Sequence, residues 1–274
     1  MNAGPASELN TLEGEILARG SIVADDVLRL RRTVYADDGE IHEPEADMLF
    51  RLHDATAGND PVWDGFFVEA LTDFFFWKEG ADSVLDEATA SLLMDRVGAD
   101  GGVLEPTELK LLLNVTFRSN GAPDDFQHFV MEAVRASVLN SSASLFGRGE
   151  RVPGAIDADD AEAIRKLIYG TAGEAGMAVG RAEANFLFDL NDATAEAENA
   201  SEWRELFVKA IAKHLLYAGE SPTEVDGAEA QWLIGHIGAD GVDNANIRAL
   251  LAYLKQEADA IAPALSEVCA QAGI

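Results

Sequence analysis

The chain of 274 residues contains one cysteine and few basic residues, and each shortage excludes a class of protein. Cys269 alone permits neither an intrachain disulfide nor a zinc cluster of thiolates. The 20 Lys and Arg residues stand against 49 Asp and Glu, so the formal net charge is -29. This charge argues against nucleic acid and against an anionic membrane surface as partners, and it permits cations and basic proteins.

Long apolar runs and a secretory signal are also missing. The strongest apolar run, Leu71 to Trp77, contains Asp73 and is too short to cross a bilayer. The first residues lack the basic start and the apolar stretch of a signal peptide. We therefore expect a cytoplasmic protein without a transmembrane segment.

The chain contains two similar halves. Residues 49–57, Leu-Phe-Arg-Leu-His-Asp-Ala-Thr-Ala, return at 187–195 as Leu-Phe-Asp-Leu-Asn-Asp-Ala-Thr-Ala, and the Gly-Ala-Asp-Gly of 98–101 returns at 238–241. A repeat of this length predicts two copies of one unit that differ by small insertions. The predicted organisation is an N-terminal segment at 1–19, a first unit at 20–139, a linker rich in Ser and Gly at 140–154, and a second unit at 155–274.

Apolar residues recur with helical spacing almost throughout. The stripe from Phe66 to Phe75 is broad, which is typical of a buried central helix. Trp63 and Trp203 match between the copies, and we expect both in the core. Alternating strand patterns are absent. The sequence therefore predicts an all-α fold, a tandem duplication of a unit with five or six helices.

One motif recurs at the predicted helix starts: a glycine, an aliphatic residue two positions later and an acid four positions after that. It occurs at Gly20 to Asp26, Gly39 to Glu45, Gly102 to Glu108 and Gly154 to Asp160. The motif matches the second half of an EF-hand loop, but the acids of the first half are missing, so a regular EF-hand is not expected. A structural interpretation explains it: the glycine ends one helix, the aliphatic residue enters the core, and the acid begins the next helix.

The alternative interpretation is a divalent-cation site with another geometry. Acids are dense around Gly39 and again after Gly98, while the second copy keeps one acid in its Gly-Ala-Asp-Gly turn. Carboxylate oxygens suit hard cations such as calcium. The candidate ligands are Asp37, Asp38, Glu43, Glu45, Asp100, Glu105, Glu108 and Asp240.

Two of these segments resemble a known family signature. Ala36-Asp-Asp-Gly-Glu-Ile41 with Glu45, and Ala99-Asp-Gly-Gly102 with Glu105 and Glu108, resemble the Ala-Asp-Gly-x-Ile…Glu signature of tellurite-resistance TerB-like proteins. The resemblance implies two all-helical TerB-like units, metal binding by acidic loop residues and an accessory role in stress or tellurite resistance. The counterpart in the second copy, Tyr169 to Gly173, has lost both aspartates, so the first copy is the better candidate.

Residue patterns for catalysis are missing. The five histidines form no zinc-binding helix motif, and no nucleophile elbow, phosphate-binding loop or dinucleotide fingerprint occurs. We therefore expect no enzymatic activity. Two hypotheses stay open: a helical protein that binds a divalent cation through acidic loops, and a metal-free scaffold for an unknown protein partner.

Overall fold

The computed structural model describes residues 5–36, 39–79, 84–98, 104–143, 145, 152–170, 179–217, 222–237 and 242–274. These ranges contain thirteen α-helices and two strands of two residues each, which confirms the predicted all-α class. The chain divides into two compact units, Met1–Val130 and Met131–Ile274. Within the described ranges, no helix is long and apolar enough to cross a bilayer.

The first unit contains the helices α1 Pro5–Arg19, α2 Ala24–Val34, α3 Glu43–Ala55, α4 Val62–Glu79, α5 Glu87–Val97 and α6 Pro106–Arg118. The boundary between the units falls within α7 Asp124–Asn140. The second unit contains α8 Ala158–Gly170, α9 Arg181–Ala193, α10 Ser201–Tyr217, β1 Glu224–Val225, α11 Gly227–Ile237, α12 Ala245–Glu257, β2 Ala260–Ile261 and α13 Pro263–Gln271.

Each unit is built around one buried helix. In the first unit, α4 packs against α2, α3 and α6, and its Phe66, Phe67 and Phe75 are fully buried, as the broad apolar stripe predicts. In the second unit, α10 packs against α8, α9 and α12. Trp63 and Trp203 begin these central helices, and both are completely buried, which confirms their place in the core.

Two of the glycine motifs lead into α2 and α8 in the same way. Gly20 and Gly154 have φ angles of +77° and +81°, in the left-handed region that favours glycine. Ile22 and Ile156 follow them and are fully buried. The aliphatic residue anchors the next helix to the core in both units, as the structural interpretation predicts. Gly20 directly follows α1, whereas Gly154 lies in a turn and so does not end a helix, which corrects that part of the interpretation.

An asparagine side chain anchors the buried isoleucine that precedes each of these two helices. The backbone N–H of Ile22 donates to Oδ1 of Asn59, and that of Ile156 donates to Oδ1 of Asn199, at 2.8 Å in both units. Each isoleucine carbonyl accepts a hydrogen bond from the backbone N–H of the residue after the asparagine. Matched contacts of this kind support the tandem duplication, which stays a prediction.

A short parallel pairing joins two loops in each unit. In the second unit, β1 and β2 pair in parallel. In the first unit, Val84 and Gly121 form a parallel bridge, and the carbonyl of Gly121 accepts a hydrogen bond from Leu85 N. These pairings fix the loops that directly precede α5 and α11.

Candidate functional site

Half of the predicted cation ligands lie outside the described residues, namely Asp37, Asp38, Asp100 and Asp240. Glu43 and Glu45 lie in the first turn of α3. Glu105 and Glu108 lie at the start of α6. Within the described ranges, no three His, Cys, Asp or Glu side chains are grouped so that they could hold a metal ion.

The acids of three glycine motifs cap the helices that they begin. Asp26, Glu108 and Asp160 each accept the backbone N–H of the residue three positions earlier, at N···O distances of 2.9, 2.8 and 3.4 Å. All three residues are buried. Their carboxylates satisfy backbone donors that the first turn of a helix leaves unpaired.

The acid of the Gly39 motif differs from these three. Ile41 is buried, as expected, and Gly39 has a φ angle of +81°, although α2 already ends at Val34 and Gly39 therefore does not end that helix. Oε2 of Glu45, however, is buried and has no hydrogen-bond partner in the described part of the chain. A buried carboxylate oxygen without a partner costs free energy. Within the described residues, Oε2 of Glu45 therefore does not cap α3 in the way that the other three motif acids cap their helices.

Glu45 lies in an acidic groove of about 510 Å³ between α1 and α3. Two of the carboxylates there, Glu13 and Asp47, pair with arginines at 2.8 and 2.5 Å. For Glu43 and Glu45 the described ranges contain no such ion pair. The groove thus keeps uncompensated negative charge close in sequence to the Asp37-Asp38 pair.

The described acids of the second predicted cluster already have structural contacts. Glu108 caps α6, and Oε2 of Glu105 lies 3.7 Å from Nε2 of His53. Nδ1 of His53 accepts a hydrogen bond from Trp63 Nε1 at 3.4 Å, and burial lowers the pKa of His53. This cluster therefore connects α6 to α3 and α4.

A second groove lies in the second unit, where α9 ends and α10 and α12 begin. It is open and has a volume of about 970 Å³. Among the described residues, the charged ones that line it are Asp192, Glu196, Glu198, Arg204 and Asp243. Four carboxylates thus face one guanidinium. Sequence reasoning did not identify this groove.

A directional chain of hydrogen bonds lies along and beneath this groove. Arg204 Nε donates to Asn246 Oδ1 and Asn246 Nδ2 donates to Asn191 Oδ1, both at 2.9 Å. Asn191 Nδ2 then donates to Asp192 Oδ1 at 3.5 Å. Asn191 is 1% exposed. Together, these three hydrogen bonds link α10, α12 and α9. These hydrogen bonds hold the polar side chains of the groove in defined orientations.

Trp203 forms part of the groove wall, and its indole nitrogen has no partner. The residue is 0% exposed, and within the described residues Nε1 has no hydrogen-bond acceptor. Its counterpart Trp63 donates to His53. The residue that matches His53 is Asn191, whose side-chain oxygen accepts from Asn246 instead. The replacement of a histidine by an asparagine thus accompanies the unpaired indole N–H.

No protein-family model, curated protein or solved structure matches the chain. The TerB-like resemblance therefore rests on the loop motifs and the helical pattern of the chain itself.

Proposed function

We propose that the protein is a non-enzymatic, TerB-like helical module that binds a divalent cation, with calcium as the first candidate, at the Gly39 segment. The observation that carries the proposal is Oε2 of Glu45, which is buried and has no hydrogen-bond partner among the described residues. A cation at this oxygen would replace the missing hydrogen bond and would offset the repulsion between neighbouring carboxylates.

The residues around Glu45 fit a hard cation. Glu43 comes from the same helical turn, and Asp37 and Asp38 directly precede Gly39 in the sequence. All four supply carboxylate oxygens, which calcium and manganese accept as ligands. The bound ion would tie the segment before α3 to that helix. Such binding would serve an accessory role in stress or tellurite resistance.

The second candidate function is a metal-free scaffold for a protein partner. Three of the motif acids cap helices, which favours a structural role for those motifs. The net charge of -29 favours a basic partner. The two candidates differ at the Gly39 segment, because a scaffold needs no cation there.

Isothermal titration calorimetry on the full, EDTA-treated chain separates them. With calcium or manganese chloride, we expect binding heat and a raised melting temperature for the wild type. The double variant Asp38→Ala/Glu45→Ala should lose both effects. Glu196→Ala/Glu198→Ala is the matched control, because it removes two negative charges in the other unit and should keep both effects. A wild type without binding heat for either ion would exclude the cation site and leave the scaffold.

A further inference from the structure

We propose that the groove of the second unit, bounded by α9, α10 and α12, binds an extended basic peptide segment of a partner protein. Carboxylates of the groove would accept the peptide's Lys and Arg side chains, and Trp203 Nε1 would donate to a peptide carbonyl. This site is independent of the cation site in the first unit, because it shares no residue with it.

The charge of the groove defines the first part of the ligand. Asp192, Glu196, Glu198 and Asp243 face one cation, Arg204, which is engaged by Asn246. Burial lowers the pKa of His236, which also lines the groove, so its imidazole adds no positive charge at neutral pH. Like charges are costly at an interface, so a second copy of this acidic chain is a poor occupant and a basic segment is a good one.

The indole of Trp203 defines the second part of the ligand. A buried N–H without an acceptor costs free energy, and an incoming acceptor removes that cost. A polyamine supplies only donors, whereas a peptide supplies a carbonyl together with basic side chains. Nε1 is closed to solvent in the free protein, so the side chains that cover it must move before a peptide carbonyl can accept this hydrogen bond.

A loop insertion builds one wall of the groove. Asn59 and Thr56, which are hydrogen-bonded in the first unit, are three residues apart, whereas the matching Asn199 and Thr194 are five residues apart. The longer loop of the second unit carries Glu196 and Glu198, both of which are exposed. Glu196 and Glu198 therefore lie in a loop that is longer than its counterpart in the first unit.

The test uses the full ¹⁵N-labelled chain in EDTA at 50 mM NaCl and the probe peptide acetyl-Gly-Lys-Gly-Arg-Gly-Lys-amide. The Trp203 indole N–H signal is assigned by its loss in Trp203→Phe. We expect the peptide to shift this signal more than the other three indole signals. We expect Glu196→Gln/Glu198→Gln to weaken binding about fivefold, since each exposed ion pair contributes little. Trp203→Phe should weaken peptide binding by a similar factor, because it removes one hydrogen bond to the peptide.

The control is Glu8→Gln/Glu257→Gln, which removes two exposed charges outside the groove and should change the affinity less than twofold. Equal weakening in the control would mean diffuse charge attraction and would overturn the proposal. The absence of peptide binding, or binding that leaves the Trp203 signal unmoved, would also overturn it. An equal indole shift with spermidine would overturn the peptide proposal, because it would show a site for simple polycations. The presence of EDTA makes each result independent of the cation site.

Discussion

Trp63 donates a hydrogen bond from Nε1 to Nδ1 of His53, and this contact is not repeated between the matching Trp203 and Asn191. Because Nδ1 of His53 accepts, the ring proton of the neutral histidine lies on Nε2, the atom that faces Glu105. The two units thus bury the same tryptophan in two different polar surroundings. The difference predicts unequal responses to the same substitution.

Trp63→Phe should destabilise the protein more than Trp203→Phe. Both substitutions remove the same volume from a core, but Trp63→Phe also leaves Nδ1 of His53 buried without its donor. We expect the free energies of unfolding to differ by about 1 kcal/mol or more, as for a lost buried hydrogen bond. Urea denaturation of the two variants measures this difference. Equal losses would contradict the assigned contacts.

Asn59→Ala and Asn199→Ala should each destabilise their own unit. Each asparagine accepts the N–H of a buried isoleucine at 2.8 Å, and its amide donates back to a threonine. Removal of the side chain leaves that N–H unpaired, at a cost of about 1–3 kcal/mol. Asn140→Ala, at the exposed end of α7, is the control and should cost less. Thermal unfolding followed by circular dichroism compares the three, and a loss as large in the control would contradict the prediction.

The protein should lose stability as the pH falls from 7.5 to 5.5. His214 is 8% exposed, its Nδ1 lies 2.7 Å from the carbonyl oxygen of Val179, and burial lowers its pKa from the ordinary 6.5. Below pH 6.5 the unfolded chain therefore binds more protons than the folded chain, and the free energy of unfolding falls. One histidine contributes at most about 1.4 kcal/mol per pH unit.

The variant His214→Asn should reduce the slope of unfolding free energy against pH. An asparagine can still donate to a carbonyl but does not titrate in this range. The exposed His128, changed to asparagine, serves as the control and should keep the slope of the wild type. Denaturation at several pH values gives these slopes. A His214 variant with an unchanged slope would show that other groups cause the pH dependence.

Glu45→Gln should have opposite effects in the absence and presence of calcium. Without the ion, the substitution removes a charge from a buried oxygen that lacks a partner, so stability should stay equal or rise. With calcium in hundredfold excess over its Kd, the wild type should gain about 2.7 kcal/mol, which the variant should lose. Scanning calorimetry in EDTA and in calcium measures both. Destabilisation of the variant in EDTA would mean that Glu45 has a structural partner.

Periodicity and the glycine motifs predict much of the fold from the sequence. The apolar stripe of Phe66 to Phe75 locates the central helix α4, and Gly20, directly after α1, has the positive φ angle expected of a glycine that ends a helix. The structural role of Asn59 could also have been predicted, because an asparagine stands four residues before the tryptophan in both copies. These features are local or are repeated, so the sequence carries them.

The polar contacts of the two grooves are less accessible to sequence reasoning. The series of hydrogen bonds from Arg204 through Asn246 and Asn191 to Asp192 joins three helices that are separated in the sequence. Whether a motif acid caps its own helix, as Asp26 does, or keeps an unpartnered oxygen, as Glu45 does, depends on side-chain packing rather than on spacing. The motif alone therefore does not reveal which of its acids caps a helix.

Anomalous diffraction from crystals grown with manganese chloride tests the central claim most directly. The cation site at the Gly39 segment predicts a manganese peak within coordination distance, about 2.2 Å, of a Glu45 carboxylate oxygen. The peak should be absent from crystals of Asp38→Ala/Glu45→Ala grown under the same conditions. Manganese bound only elsewhere, or no peak at a concentration that saturates binding in solution, would contradict the claim.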